Sequence, residues 1–182
     1  MSWDKKLSTR PNLYLTGFMG TGKSAVGHRV APLINAQFVD ADCVIAERVG
    51  MDIPSIFAQY GEASFRKLER EFVASGHPNT GCVVACGGGL IIQPGMLEAL
   101  EKRGVLICLF ASLETVLKRT SGKTSRPLLN VDDPKTKIQR LMAERLPIYR
   151  KVRLAVSTDN ASLSAVVKRI VLLYQREIAL KD

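Results

Sequence analysis

The chain has 182 residues, enough to bury one core, and its 46% hydrophobic and 24% charged content is that of an ordinary globular protein. No apolar run approaches the ~20 residues a membrane helix needs, and the opening MSWDKKLSTRPN lacks the apolar centre of a signal peptide, so a cytoplasmic location with no membrane partner is expected. Net charge is +9, from 26 Lys and Arg against 17 Asp and Glu, which favours anionic partners without choosing among nucleotides, small carboxylates and nucleic acid.

Short β-branched runs alternate with longer helical stretches. NLYLTG (12–17) reads as a strand and Lys23 to Ile34 as a helix; AQFVD (36–40) is a second strand, followed by helical patterns over 42–49 and 53–75. GCVVAC (81–86) is a third strand, with a helix over 94–103. GVLICLF (104–110) is the most apolar strand, and continuous hydrophobicity suits a central position covered on both faces. A helix over 112–120 leads into a polar loop from Ser121 to Asn130. Residues 134–150 read as helical despite Pro147, RLAVS (153–157) as a last strand and 161–179 as a last helix. The alternation predicts an α/β fold: five strands in a parallel sheet with helices on both faces, a three-layer sandwich forming a single domain over 1–182. Ligands of such sheets bind beyond the carboxyl ends of the strands, after residues 17, 39, 86 and 110. Cys43, Cys82, Cys86 and Cys108 show no zinc-ligand spacing and read as reduced, mostly buried thiols.

GFMGTGKS (17–24) fits G-x-x-x-x-G-K-[S/T] between a strand and a helix. Glycines let backbone N–H groups converge on phosphate oxygens, and the helix that follows points its positive end at them. Lys23 is expected to reach the β and γ phosphates of ATP or GTP, and the Ser24 hydroxyl to ligate Mg²⁺.

What receives the phosphate is read from the remaining strand ends. FVDAD carries Asp40 and Asp42, which are either two helix caps or a pair with separate tasks. In the second reading Asp40 serves the metal and Asp42 accepts a proton from an attacking hydroxyl. In GEASFRKLERE, Arg66 and Glu69 are three apart on one helix face; Arg66 adjoins the apolar stripe of Phe65, Leu68 and Phe72, which suits clamping a carboxylate at a cleft edge. The triplet Gly87-Gly88-Gly89 demands either a sharp turn or a backbone approach closer than a side chain permits. The basic loop with Lys118, Arg119, Lys123 and Arg126 is either solvated or a cover for a triphosphate. Arg145 stands in ERLPIY near the end of the next helix.

GFMGTGKSAVG, DAD (40–42), SFRKLE (64–69), GGG (87–89), RPLL (126–129) and ERLPIY (144–149) occur together in an order and spacing that resembles the shikimate kinases, from about Asn12 to Lys168. The phosphate loop alone is common to many families; the combination is specific. The resemblance implies a kinase fold of the nucleoside-monophosphate-kinase type, with a core over 12–170, a lid over 121–133 and a substrate-binding region over 42–76. It implies ATP-dependent phosphorylation of the shikimate 3-hydroxyl, with Mg²⁺, by a monomer. Gly20, Thr21, Gly22, Lys23, Ser24 and Ala25 would hold ATP, with Arg119 at adenine and Arg126 on the phosphates. Asp42, Arg66, Gly88, Gly89 and Arg145 would hold shikimate, Lys23, Asp42 and Arg126 would act in catalysis, and Ser24 and Asp40 would serve the metal. The proline or glutamine that often contacts adenine in this family is missing from STDNASLS (157–164), which leaves Thr158 to Ser162 as the expected region. Cys86, just before the triplet, is expected to be a buried core thiol.

Three other readings compete. A gluconate or nucleoside-monophosphate kinase would not be expected to carry Arg66, Gly88 and Arg145 together. A catalytically silent shikimate sensor would not be expected to retain Lys23, Ser24, Asp42 and Arg126. A nucleic-acid-binding protein would need a recognisable module or aromatic platform, and none is present in the sequence.

Overall fold

The structure is a computed structural model in which residues 9–121 and 133–180 are described. Five parallel strands form its centre: β1 (Asn12–Gly17), β2 (Gln37–Asp40), β3 (Cys82–Ala85), β4 (Gly104–Phe110) and β5 (Leu154–Ser157), in the order β2-β3-β1-β4-β5. Around them lie α1 (Lys23–Leu33), α2 (Ala41–Val49), α3 (Ile53–Ser75), α4 (Met96–Arg103), α5 (Leu113–Thr120), α6 (Pro134–Tyr149) and α7 (Leu163–Ala179). The order reverses beside β1, which is flanked by β3 and β4, so the crevice for a ligand opens where β1 ends.

Alternation along each strand divides the core in two. Leu13, Leu15, Val83, Val105, Ile107 and Leu109 face α1 and α7, with Val26, Val30, Val166 and Ile170 packed against them. Tyr14, Val84, Leu106 and Cys108 face the other way, toward Ile45, Phe72, Leu100, Val116 and Ile138 of α2 to α6. Every residue of β1 and β3 is buried, as is all of β4 except its last residue, as the apolar runs in the sequence require.

The expected elements are present, with local differences. The long helical pattern over 53–75 is broken at Gly61, whose φ of 75° and ψ of 173° no helix admits, so α3 is two helical pieces joined at a kink. A short 3-10 turn over Leu90–Ile92 follows the glycine triplet and was not foreseen. Pro147 is accommodated within the last turn of α6. Cys82, Cys86 and Cys108 are buried and Cys43 is exposed, all four as free thiols. Burial pushes the Cys86 thiol far above its ordinary pKa, in keeping with an inert core residue. Lys123, Arg126 and the lid segment other than Ser121 and Asp133 lie outside the described residues. Among the described residues no helix is long and apolar enough to cross a membrane.

Candidate active site

The loop between β1 and α1 is built to receive an anion. Gly22 stands at the N-cap of α1 with φ 93°, a conformation that favours glycine, and makes no side-chain cap; no acidic residue occupies the first turn. The first N–H groups of α1 therefore keep their donor capacity and the helix keeps its positive end. Thr21 ties the loop to itself through a 2.8 Å bond to the Phe18 carbonyl. Lys23 is nearly buried and donates to the carbonyls of Gly17 (2.9 Å) and Phe18 (3.0 Å), which holds its ammonium over the loop. Gly20 to Ala25 line a cavity of about 460 Å³ together with Arg119, Thr158 and Ala161.

Arg119 forms the far wall of that cavity. Its guanidinium donates to the Thr158 hydroxyl (2.9 Å), the Thr158 carbonyl (3.1 Å) and the Gly20 carbonyl (3.3 Å), joining the phosphate loop to the loop after β5. The region expected to meet adenine, Thr158 to Ser162, thus borders the nucleotide-sized cavity through Thr158 and Ala161.

A second cavity, of about 400 Å³, lies on the other side of Ser24. It is lined by Asp42 from α2, by Phe57, Phe65, Arg66 and Glu69 from α3, by Gly87 to Gly89, and by Arg145 from α6. Ser24, Asp40, Asp42 and Gly88 border both cavities. The two acidic residues have different duties. Asp40 is the N-cap of α2: Oδ1 accepts from the Asp42 N–H at 3.1 Å while Oδ2 accepts from the Ser24 hydroxyl at 2.6 Å. Asp42 lies in the first turn and is not the cap, so the capping role open to either residue in the sequence falls to Asp40.

Arg66 is more firmly held than an isolated surface pair. Its guanidinium donates to Glu69 Oε2 at 2.6 Å and to Glu62 Oε1 at 2.7 Å. Glu69 is 0% exposed. Burial pushes its carboxyl up to about 7 despite the charge and hydrogen bond of Arg66. Gln93 donates to Glu69 Oε2 at 2.8 Å and accepts from Arg70 at 2.6 Å, so Arg66 and Gln93 share that one oxygen, while Oε1 is buried with no hydrogen-bond partner among the described residues. Glu62 was legible as the i−4 neighbour of Arg66; Gln93, which follows the unforeseen 3-10 turn, left no signal.

These side chains explain the glycine triplet. A Cβ on Gly87 would sit 2.4 Å from Glu69 Oε1, and one on Gly89 2.4 Å from Arg66 Nη1. None of the three has positive φ, so the turn that the Leu90 N–H closes onto the Gly87 carbonyl (3.1 Å) does not itself require glycine. Close approach does: by the Arg66–Glu69 pair at Gly87 and Gly89, and by the Met19 backbone nitrogen at Gly88, 3.3 Å from where a Cβ would lie. From α6, Arg145 joins this cavity, buried with its guanidinium 5.8 Å from the Phe18 ring centroid. Arg66 and Arg145 thus enter one cavity from different helices, an arrangement suited to a carboxylate.

A phosphate-binding loop at the switch point of a parallel sheet, opening onto a second cavity with paired arginines and a carboxylate, defines a P-loop kinase for a small anionic acceptor. The family model described as shikimate kinase matches residues 19–175. The chain belongs to the shikimate kinase family. It is 38% identical over 165 residues to the shikimate kinase of Thermodesulfovibrio yellowstonii, covering 91% of this chain and 95% of that one. The structure of the shikimate kinase from Acinetobacter baumannii in complex with shikimate superposes with a TM-score of 0.88 at 35% identity, covering 93% of this chain and 95% of that one. A gluconokinase from Sinorhizobium meliloti, at 17% identity and a TM-score of 0.65 with 94% and 95% covered, shares the fold alone.

Proposed function

We infer that this chain transfers the γ-phosphoryl of ATP to the 3-hydroxyl of shikimate, giving shikimate 3-phosphate and ADP. The observation that carries this reading is the common wall of the two cavities. Ser24, Asp40, Asp42 and Gly88 border both, so a donor phosphate and an acceptor hydroxyl held in the separate chambers meet there.

Each group has a task in that geometry. The amides of Gly20 to Ala25 and Lys23 take the phosphates, and the in-plane hydrogen bonds of Arg119 leave its flat faces for the adenine ring. Arg66 and Arg145 hold the shikimate carboxylate from two sides, with Gly88 and Gly89 offering backbone beside it. Asp42 accepts the proton of the 3-hydroxyl as its oxygen bonds to the γ-phosphorus, and the bond to the bridging oxygen breaks to release ADP. Arg126 adds positive charge from the lid over 121–133, closing a domain whose core spans 12–170 and whose acceptor region spans 42–76.

The oxygen donors Ser24 Oγ and Asp40 Oδ2, 2.6 Å apart where the cavities join, fit a hard divalent cation. Among the described residues no three His, Cys, Asp or Glu side chains converge as a self-contained cage, so an ion here would draw its other ligands from phosphate and water. We propose that Ser24 and Asp40 hold Mg²⁺, which when bound would neutralise phosphate charge. The protein is inferred to act as a cytoplasmic monomer.

A coupled ADP-release assay tests the assignment. Magnesium-dependent turnover with shikimate and almost none with gluconate or AMP is expected; equal rates for all three would overturn it. Asp42→Asn is expected to lower kcat by about 10²-fold or more while ATP affinity stays within about threefold. Collapse of ATP affinity with turnover preserved would remove Asp42 from the proton-accepting role.

A further inference from the structure

Tyr149 ends the ERLPIY segment in the last turn of α6, is 3% exposed, and donates a hydrogen bond from its hydroxyl to the Gly88 carbonyl. Arg145 precedes it by four residues on the same helix face and lines the acceptor cavity. Burial raises the phenol pKa, and the charge of Arg145, one turn back on α6, opposes that rise. The peptide after Gly88 is trans and planar. Turning the Gly88 carbonyl toward α6 therefore turns the Gly89 N–H the opposite way. Among the described residues none accepts a hydrogen bond from the backbone N–H of Gly88 or Gly89, and both glycines line the acceptor cavity.

We propose that Tyr149 is a positioning residue for the acceptor, its hydroxyl locking the Gly88–Gly89 peptide and the Arg145 side chain into a single carboxylate-binding clamp. The inference rests on the reading of this cavity as the shikimate site. The ring packs in the core beside the sheet, so ring and hydroxyl have separable roles. Tyr149→Phe keeps the ring and leaves the Gly88 peptide free to rotate and Arg145 without its neighbour.

Steady-state kinetics with both substrates varied test this. Tyr149→Phe is expected to raise the KM for shikimate about tenfold, from loss of a buried hydrogen bond, with the KM for ATP unchanged within about twofold. In a double-mutant cycle with Arg145→Lys, the combined change in shikimate KM is expected to be smaller than the product of the single changes, because the two residues act as one unit. Urea unfolding and ADP titration of each variant verify that the fold and the nucleotide side are intact. An unchanged shikimate KM, a parallel rise in both KM values, or purely multiplicative effects in the cycle would each overturn the proposal. Failure of the wild-type protein to phosphorylate shikimate would instead overturn the functional reading beneath it.

Discussion

Replacing Gly89 with alanine puts the reading of the glycine triplet to a test of sign. Gly89 has φ −101° and ψ 0°, the values that the third position of a type I turn takes in most residues, alanine included. On backbone grounds alone Gly89→Ala should stabilise the protein by about 0.4–1 kcal/mol, through the lowered entropy of the unfolded chain. The structure predicts the opposite. The new methyl would lie 2.4, 2.5 and 2.6 Å from Nη1, Nη2 and Cζ of Arg66, so the guanidinium must retreat by about 1 Å to reach ordinary contact. An exposed arginine would swing away at little cost. This one is bonded to Glu62 and to Glu69, and the 2.6 Å bond to Glu69 does not survive such a shift. Glu62 is half exposed, so only the Glu69 bond is counted, at about 1.5–3 kcal/mol for a charge-assisted bond. Net destabilisation of about 1–2 kcal/mol is expected by urea unfolding. A rise of about tenfold or more in the KM for shikimate should accompany it, because the displaced guanidinium faces the acceptor cavity. A variant as stable as the wild type, or more stable, with unchanged KM would refute the packing argument.

The buried carboxyl of Glu69 makes stability depend on pH. Its folded pKa of about 7 exceeds the ordinary 4.5, so between those values the native state binds more protons than the unfolded chain. Stability from the neutral form is complete below about pH 4.5 and is lost as pH rises through about 7. Glu69→Gln removes this dependence, so the stability advantage of wild type over variant should shrink by about 2–3 kcal/mol between pH 4.5 and pH 8. An advantage that grows with pH in urea titrations would mean that Arg66 keeps Glu69 ionised throughout. At the metal, Ser24→Ala and Asp40→Asn should each raise the Mg²⁺ concentration for half-maximal turnover about tenfold. Asp40→Asn retains an oxygen for the cap on α2, so its stability should be nearly unchanged; an unaltered Mg²⁺ requirement in both variants would remove the pair from the metal site.

What could be read from the chain divides along physical lines. Strand identity, the phosphate loop and the Arg66–Glu69 pair rest on local periodicity and on i, i+3 spacing, so they were legible. The break at Gly61 was not, because a glycine inside an otherwise periodic stretch carries no sign of its φ. The use of Asp40 as cap and Asp42 as first-turn residue depended on where β2 gave way to α2, a boundary that periodicity locates only to within a residue or two. The Gln93 bridge and the Tyr149 bond to Gly88 join residues 24 and 61 positions apart, and such contacts exist only once the sheet has brought them together. The triplet marks a turn or a close approach in the sequence; that side chains of α3 fill the space beside Gly87 and Gly89 is visible only in three dimensions.

The strand order has a consequence for the order in which the molecule should come apart. The phosphate loop issues from β1, which is buried and paired on both sides, by β3 and β4. The second strand, which delivers Asp40 and leads into Asp42, is an edge strand paired on one side only and half exposed along most of its length. Amide protons of β1 are therefore expected to exchange with solvent only through global unfolding, while those of β2 and α2 exchange through a smaller, cheaper opening. Such an opening removes Asp42 from the acceptor cavity and Asp40 from Ser24, and leaves the β1 phosphate loop in place. Shikimate binding and the Mg²⁺ response should accordingly fail at lower denaturant concentrations than anion binding at that loop.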